Sequence, residues 1–185
     1  MPPAPSSIGC DVNFHAKGGS AGQCRRLGAP AVPWLIELKA VSLSGLGAAD
    51  LLKGPMTAFF ASRQCPGSGI RAAIAWALQQ ARDRCTVVGG FYCPLAQSKL
   101  RLLLEGKGTA VVVLARSAAA ATLPSTWHAA LGTDRMAVVS RSSSAQGLTE
   151  QGADDRNNFA ARLADRTARS RLTPALRWQI RPRRP

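Results

Sequence analysis

A chain of 185 residues with 46% apolar side chains is long enough for one packed domain and apolar enough for a real core, which excludes a wholly disordered protein. Five cysteines, an odd number with no C-x-x-C pair, argue against a disulfide framework or a zinc site, and no apolar run approaches the roughly 20 residues of a membrane helix. The formal net charge of +14 favours polyanions, nucleic acid before an acidic membrane surface, although the arginines between Arg166 and Arg184 supply half of it.

Met1 to Pro33 is rich in Pro, Gly, Ser and Ala and has no sustained period, so residues 1–33 read as a disordered or loosely attached arm. The arm lacks the charged start and apolar centre of a signal peptide, and reduced thiols suit a cytoplasmic protein. His15 and Cys24 have no ligand partners at useful spacing, so no metal is expected. Trp34 to Lys39 could open a short helix. Ser44 to Leu52 resembles the Gly-x-Gly hairpin of helix-hairpin-helix modules; the competing reading is a lead-in helix packed through Leu46, Leu51 and Leu52.

Met56 to Ala61 is an apolar run suited to a strand buried on both faces. Ser62 to Ser68 follows as a polar loop. Ile70, Ala73, Ile74, Ala77, Leu78 and Ala81 then recur at helical spacing. Cys85 to Val88 is a second strand closed by Gly89-Gly90, and Phe91 to Pro94 leads into a helix from Leu95 to Glu105. Ala110 to Ala115 is a third strand, Arg116 to Thr122 a small-residue loop, and Pro124 to Leu131 a short helix. Met136 to Ser140 is a fourth strand and Arg141 to Gly152 a polar loop. The last helix spans Asp154 to Asp165, with Asp154 or Asp155 as N-cap and Phe159, Ala160, Leu163 and Ala164 inward. Strands alternating with helices predict an α/β fold: a Rossmann-like, open, mostly parallel sheet of at least four strands with helices on both faces. The domain is expected over 34–165. Residues 166–185 read as a basic, disordered tail where another apolar strand would be expected, as in a chain truncated or altered from a longer ancestor.

Phe59-Phe60-Ala61-Ser62-Arg63-Gln64-Cys65-Pro66-Gly67 resembles the DNA-processing protein A (Smf) family, in particular its single-domain, Rossmann-like relatives. Three blocks extend the resemblance in order: Val87 to Leu95, Lys99 to Leu104, and Asp155 to Asp165 with its Arg156-Asn157 pair. It covers about Leu46 to Asp165. It implies a nucleotide-binding type of sheet and a protein that binds single-stranded DNA and helps load a recombinase during natural transformation. Two departures stand out. Cys93-Pro94-Leu95 replaces the family's acidic residue and His, and the final strand with its Gly-rich loop is not evident.

A phosphate at the carboxyl edge of such a sheet would meet helix N-termini near Ser68 and Leu95. Gly67, Gly89 and Gly90 would allow close backbone approach, Arg63 a bidentate guanidinium and Ser62 a hydroxyl, with Arg156 and Asn157 reaching the same edge. The competing reading gives these glycines to tight turns and Arg63 to carbonyl capping. Phe91 and Tyr92 could stack a base or pack against the sheet. Cys65 and Cys93 read as small apolar fillers. No Ser-His-Asp arrangement is visible, nor the Pro-Gly-Gly-x-Gly-Thr-x-x-Glu loop of related phosphoribohydrolases. The expected function is therefore binding without catalysis, with no cofactor. The partner is single-stranded DNA or a nucleotide, a recombinase is a further candidate, and a homo-oligomer is compatible. A LOG-like nucleotide-monophosphate phosphoribohydrolase and a small-nucleotide sensor are the alternatives.

Overall fold

The computed structural model describes residues 34–38, 41–61, 65–119, 121–142, 149–169 and 181–182. The expected arm, 1–33, and most of the expected tail lie outside them.

Four strands form the parallel centre: β3 (Met56–Phe60), β4 (Thr86–Gly89), β5 (Thr109–Leu114) and β6 (Met136–Ser140). They are preceded by the hairpin β1 (Trp34–Leu38) and β2 (Val41–Gly47) and followed by β7 (Arg166–Arg169) and the two-residue β8 (Arg181–Pro182). The eight strands lie in the order β1-β2-β6-β5-β4-β3-β7-β8, parallel from β6 to β7 and antiparallel at both edges. The expected Rossmann-like sheet is present, with antiparallel margins that the sequence reading did not include.

The central strands are mostly apolar, with Thr57, Thr86, Thr109 and Ser140 the exceptions, because both faces are covered. Successive residues alternate between two cores, as strand geometry requires. Phe59, Val87, Val112 and Val138 enter one; Ala58, Val88, Val111 and Val139 enter the other. The first core is closed by α1 (Gly67–Arg82), α2 (Pro94–Glu105) and the short α3 (His128–Leu131), through Trp76, Ala77, Leu100, Leu103 and Leu131. The second is closed by α4 (Glu150–Leu163), through Phe159, Ala160 and Leu163. Helices therefore cover both faces.

Several expectations are corrected. The helix expected over Trp34 to Lys39 is, over its described residues Trp34–Leu38, a strand: Trp34, Ile36 and Leu38 are half-buried while Leu35 and Glu37 are exposed, the two-residue period of a strand. The glycines of the supposed DNA-binding hairpin serve strand pairing instead. A side chain at Gly45 would run into the Trp34 ring, and Trp34 Nε1 donates to the Gly47 carbonyl at 2.8 Å. Helix α1 turns Ala73, Trp76, Ala77 and Ala81 inward, leaving Ile70 and Leu78 exposed; Trp76 claims the core by stacking on Phe59, ring centroids 5.1 Å apart. Helix α4 begins a turn earlier than expected. Its N-cap is Thr149, whose Oγ1 accepts from the Gly152 amide at 3.0 Å, and not Asp154 or Asp155.

The largest correction concerns the segment after Asp165. Arg166–Arg169 pairs in parallel with β3 where no strand was expected, so the sheet runs past residue 165. A strand at this edge needs only one apolar side chain to reach the core, and fully buried Ala168 supplies it. Asp165 fixes the register, because its amide donates to the Met56 carbonyl and its Oδ2 accepts from the Met56 amide, both at 2.9 Å.

The chain thus steps from β3 to β6 in one direction, and α4 returns it across the sheet to β7 on the far side of β3. This reversal between β3 and β7 is the kind of switch point outside which open α/β sheets place ligands.

Candidate functional site

All four central strands end at the same edge of the sheet, and the sequence puts glycine, arginine or a helix start after each. Helices α1 and α2 open there behind Pro66 and Cys93, both in extended conformation and neither supplying a side-chain cap. Their first intrahelical bonds run from Ile70 to the Pro66 carbonyl at 3.1 Å and from Gln97 to the Cys93 carbonyl at 2.9 Å. The earlier amides of each helix stay outside its ladder, at the positive end of the dipole. Cys93 Sγ contacts the Ala61 carbonyl at 3.9 Å, joining the start of α2 to the end of β3.

Four of the predicted residues converge. The Arg156 guanidinium carbon lies 4.1 Å from the centroid of the Tyr92 ring, and Arg156 Nε and Nη2 donate to Asn157 Oδ1 at 3.2 and 3.0 Å. A Cβ on Gly90 would stand 2.5 Å from Arg156 Nε, so only glycine leaves room for the guanidinium against the backbone. Burial lowers the Arg156 pKa from its ordinary value, opposed mainly by Tyr92 and also by Asp154 and Cys93. A guanidinium stays charged through such a shift. Among the described residues it makes no ion pair with a carboxylate within 4.0 Å.

Phe91 holds this turn in shape. Its φ is +52°, a strained region for a bulky side chain, which costs on the order of 1–3 kcal/mol. The turn sends the Phe91 ring into the core, 4% exposed, and leaves Tyr92 half-buried at the surface. Of the two readings of Phe91, stacking a base or packing against the sheet, the buried ring fits packing. Tyr92 has one ring face under Arg156. Gly89 is buried, and a Cβ there would come within 2.9 Å of the Phe59 carbonyl; its smallness serves the approach of β4 to β3. Gly67 and Ser68 sit exposed in the first turn of α1. Ser62 and Arg63 lie outside the described residues.

Two charged residues escaped the sequence reading. Arg116, assigned to a small-residue loop, is 8% exposed just beyond β5; burial lowers its pKa, and Tyr92 opposes the shift. Lys99 on α2 is 2% exposed; burial lowers its pKa, and Cys65 in the loop after β3 opposes the shift. A signal for Arg116 was present. In the sequence, β3, β5 and β6 are each followed within three residues by an arginine: Arg63, Arg116 and Arg141.

No family model matches the sequence, and no curated protein matches it. Solved structures do match its fold. One is that of DNA processing protein A from Helicobacter pylori, whose description concerns a unique single-stranded DNA binding mode. Its TM-score is 0.60 at 16% identity, over 75% of this chain and 68% of that one. The fold is that of DNA processing protein A. DNA processing protein A from Streptococcus pneumoniae also matches, with a TM-score of 0.58 at 19% identity, over 73% of this chain and 48% of that one. The match spans about half of the S. pneumoniae DNA processing protein A. Within this DNA-processing-protein-A-like fold, the described residues contain no cluster of three or more His, Cys, Asp or Glu able to hold a metal. No described helix is long and apolar enough to cross a membrane.

Proposed function

We propose that the chain is a DNA-processing protein that binds single-stranded DNA, or a nucleotide phosphate, at the carboxyl edge of its sheet and has no catalysis of its own. One observation carries this reading: a half-buried arginine, Arg156, held by Tyr92 and Asn157 against the backbone of Gly90, with no carboxylate within 4.0 Å among the described residues. Phosphate is a strong partner for such a guanidinium, and uncapped helix starts beside it add to the pull. Arg116 just beyond β5, and Arg63, Ser62, Gly67 and Ser68 after β3, complete the cationic edge in this reading. The fold of DNA processing protein A and the net charge of +14 support it. A cytoplasmic setting, a recombinase partner and a homo-oligomer belong to the same reading.

The test is fluorescence anisotropy of a labelled single-stranded oligonucleotide across a salt series. Affinity should fall steeply with salt, and Arg156→Ala should weaken binding by about tenfold or more while reducing the salt slope by about one. Equal affinity and equal slope in wild type and Arg156→Ala would refute the site. Release of free base from nucleoside monophosphates would instead favour the phosphoribohydrolase alternative.

A further inference from the structure

Beyond Arg156 the notch opens into a cavity of about 460 Å³ between the ends of β5 and β6 and the first turns of α4. Its lining is divided. Leu114 and Phe159, both buried, give an apolar floor, while Arg141, Gln151, Asp155 and Arg156 give a polar wall. The size falls within the range of small-ligand sites, roughly 300–1,000 Å³. We infer that this cavity takes the base of a nucleotide whose phosphate lies at Gly90 and Arg156, and that Asp155 selects guanine.

The inference rests on the phosphate reading above and adds the identity of the base. Three charges lie on the wall; the Arg141 guanidinium is turned onto the Phe159 ring, and Arg156 and Asp155 give the ligand a direction. A phosphate is drawn to Arg156 and repelled by the carboxylate of Asp155, so the part of the ligand that meets Asp155 is neutral and carries hydrogen-bond donors. Gln151 Nε2 donates to Asp155 Oδ1 at 3.1 Å, which orients the carboxylate and leaves acceptor capacity on both oxygens. Guanine presents two adjacent donors, the ring N1–H and the 2-amino group, which match the two oxygens of one carboxylate. Thymine and uracil offer one N–H between two carbonyls that a carboxylate repels. Adenine and cytosine offer one amino group beside an acceptor nitrogen. Arg141 supplies a flat surface for the base, because its guanidinium carbon lies 5.3 Å from the Phe159 ring centroid and the planar group can stack on a second ring.

The test is calorimetric titration of the full-length chain with dGMP, dAMP, dCMP and dTMP. Wild type should bind dGMP about tenfold more tightly than dTMP, the scale of a charge-assisted hydrogen-bonded pair. Asp155→Asn should bring that ratio close to one, weakening dGMP and, with the repulsion of the carboxylate gone, not weakening dTMP. Asp155 is exposed and its amide isostere still accepts from Gln151, so the variant should melt as wild type does. A wild-type ratio near one, or a preference that survives in Asp155→Asn, overturns the inference. If Arg156→Ala still weakens all four nucleotides in that case, the phosphate reading stands without it. Failure of every nucleotide to bind overturns the inference, while the phosphate reading is decided by the oligonucleotide titration of Arg156→Ala.

Discussion

Arg156 and Tyr92 form a cation–π pair, the guanidinium carbon 4.1 Å from the ring centroid, and the pair joins helix α4 to the turn between β4 and α2 at the carboxyl edge of the sheet. Such a contact contributes about 0.5–2 kcal/mol depending on desolvation. Removing the ring should therefore loosen the arginine without unfolding the domain. Tyr92→Leu is expected to weaken binding of a single-stranded oligonucleotide by about 3–30-fold, the same free energy expressed as affinity. Tyr92→Phe keeps the ring and should retain most of the binding. Anisotropy titrations of both variants check this, and equal losses would assign the effect to the hydroxyl instead of the ring.

Gly90 makes the space in which the guanidinium sits. A Cβ there would stand 2.5 Å from Arg156 Nε and 3.0 Å from Cδ, and those atoms belong to a flexible side chain that can swing away. Gly90→Ala should thus cost little stability, about 1 kcal/mol from the lost ring contact, and should lower oligonucleotide affinity toward that of Arg156→Ala. The double variant should be no weaker than Arg156→Ala alone, since one displacement causes both losses. Additive losses would mean that Gly90 acts on the ligand directly.

The central βαβα unit was legible because its strands are covered on both faces and so read as mostly apolar runs. Val111, Val112 and Val113 admit no other period. The hairpin Trp34 to Gly47 was misread because its alternation is shallow: Trp34, Ile36 and Leu38 are only half-buried. Strand β7 was missed for a different reason. An edge strand held by Asp165 and a single buried alanine carries almost no hydropathy signal. Gly90, Tyr92, Arg156 and Asn157, which the structure brings together, were singled out from the family resemblance and the expected helix starts. Arg116 was lost in a run of alanines, and the choice for Phe91 between stacking and packing stayed open because no local rule says which of two adjacent aromatics a left-handed turn will bury.

Asp165 should matter more for stability than its surface position suggests. Its Oδ2 accepts from the Met56 amide, a donor on a buried strand, while its own amide closes the β3–β7 register. Asp165→Ala leaves the Met56 amide without that acceptor, at a cost of about 1–3 kcal/mol. Urea denaturation should show a lower midpoint with an unchanged slope. A chain ending at Asp165 should lose more. It removes β7, uncovers the Ala168 position and leaves β3 as a bare edge, so it should aggregate on heating. Equal midpoints for the full and shortened chains would mean that Arg166–Arg169 adds nothing to the sheet.

Lys99 offers a test in which pH separates the causes. It is 2% exposed on the inner face of α2, and burial holds its ammonium below the usual lysine value of 10.5, with Cys65 opposing in part. A lysine whose pKa is lowered on folding binds its proton less tightly in the native state than in the unfolded one. The penalty is complete below the depressed native pKa, falls as pH rises from there toward 10.5, and is gone above it. Lys99→Met keeps the unbranched stem and removes the charge. At pH 7 it should raise the melting temperature by about 2–4 °C, the scale of 1 kcal/mol in a chain of this size. Scanning calorimetry at pH 7, 9 and 10.5 should show that gain shrinking as the native lysine gives up its proton in both states. A variant less stable than wild type at pH 7, by an amount that does not change with pH, would show that the stem and not the charge decides the position.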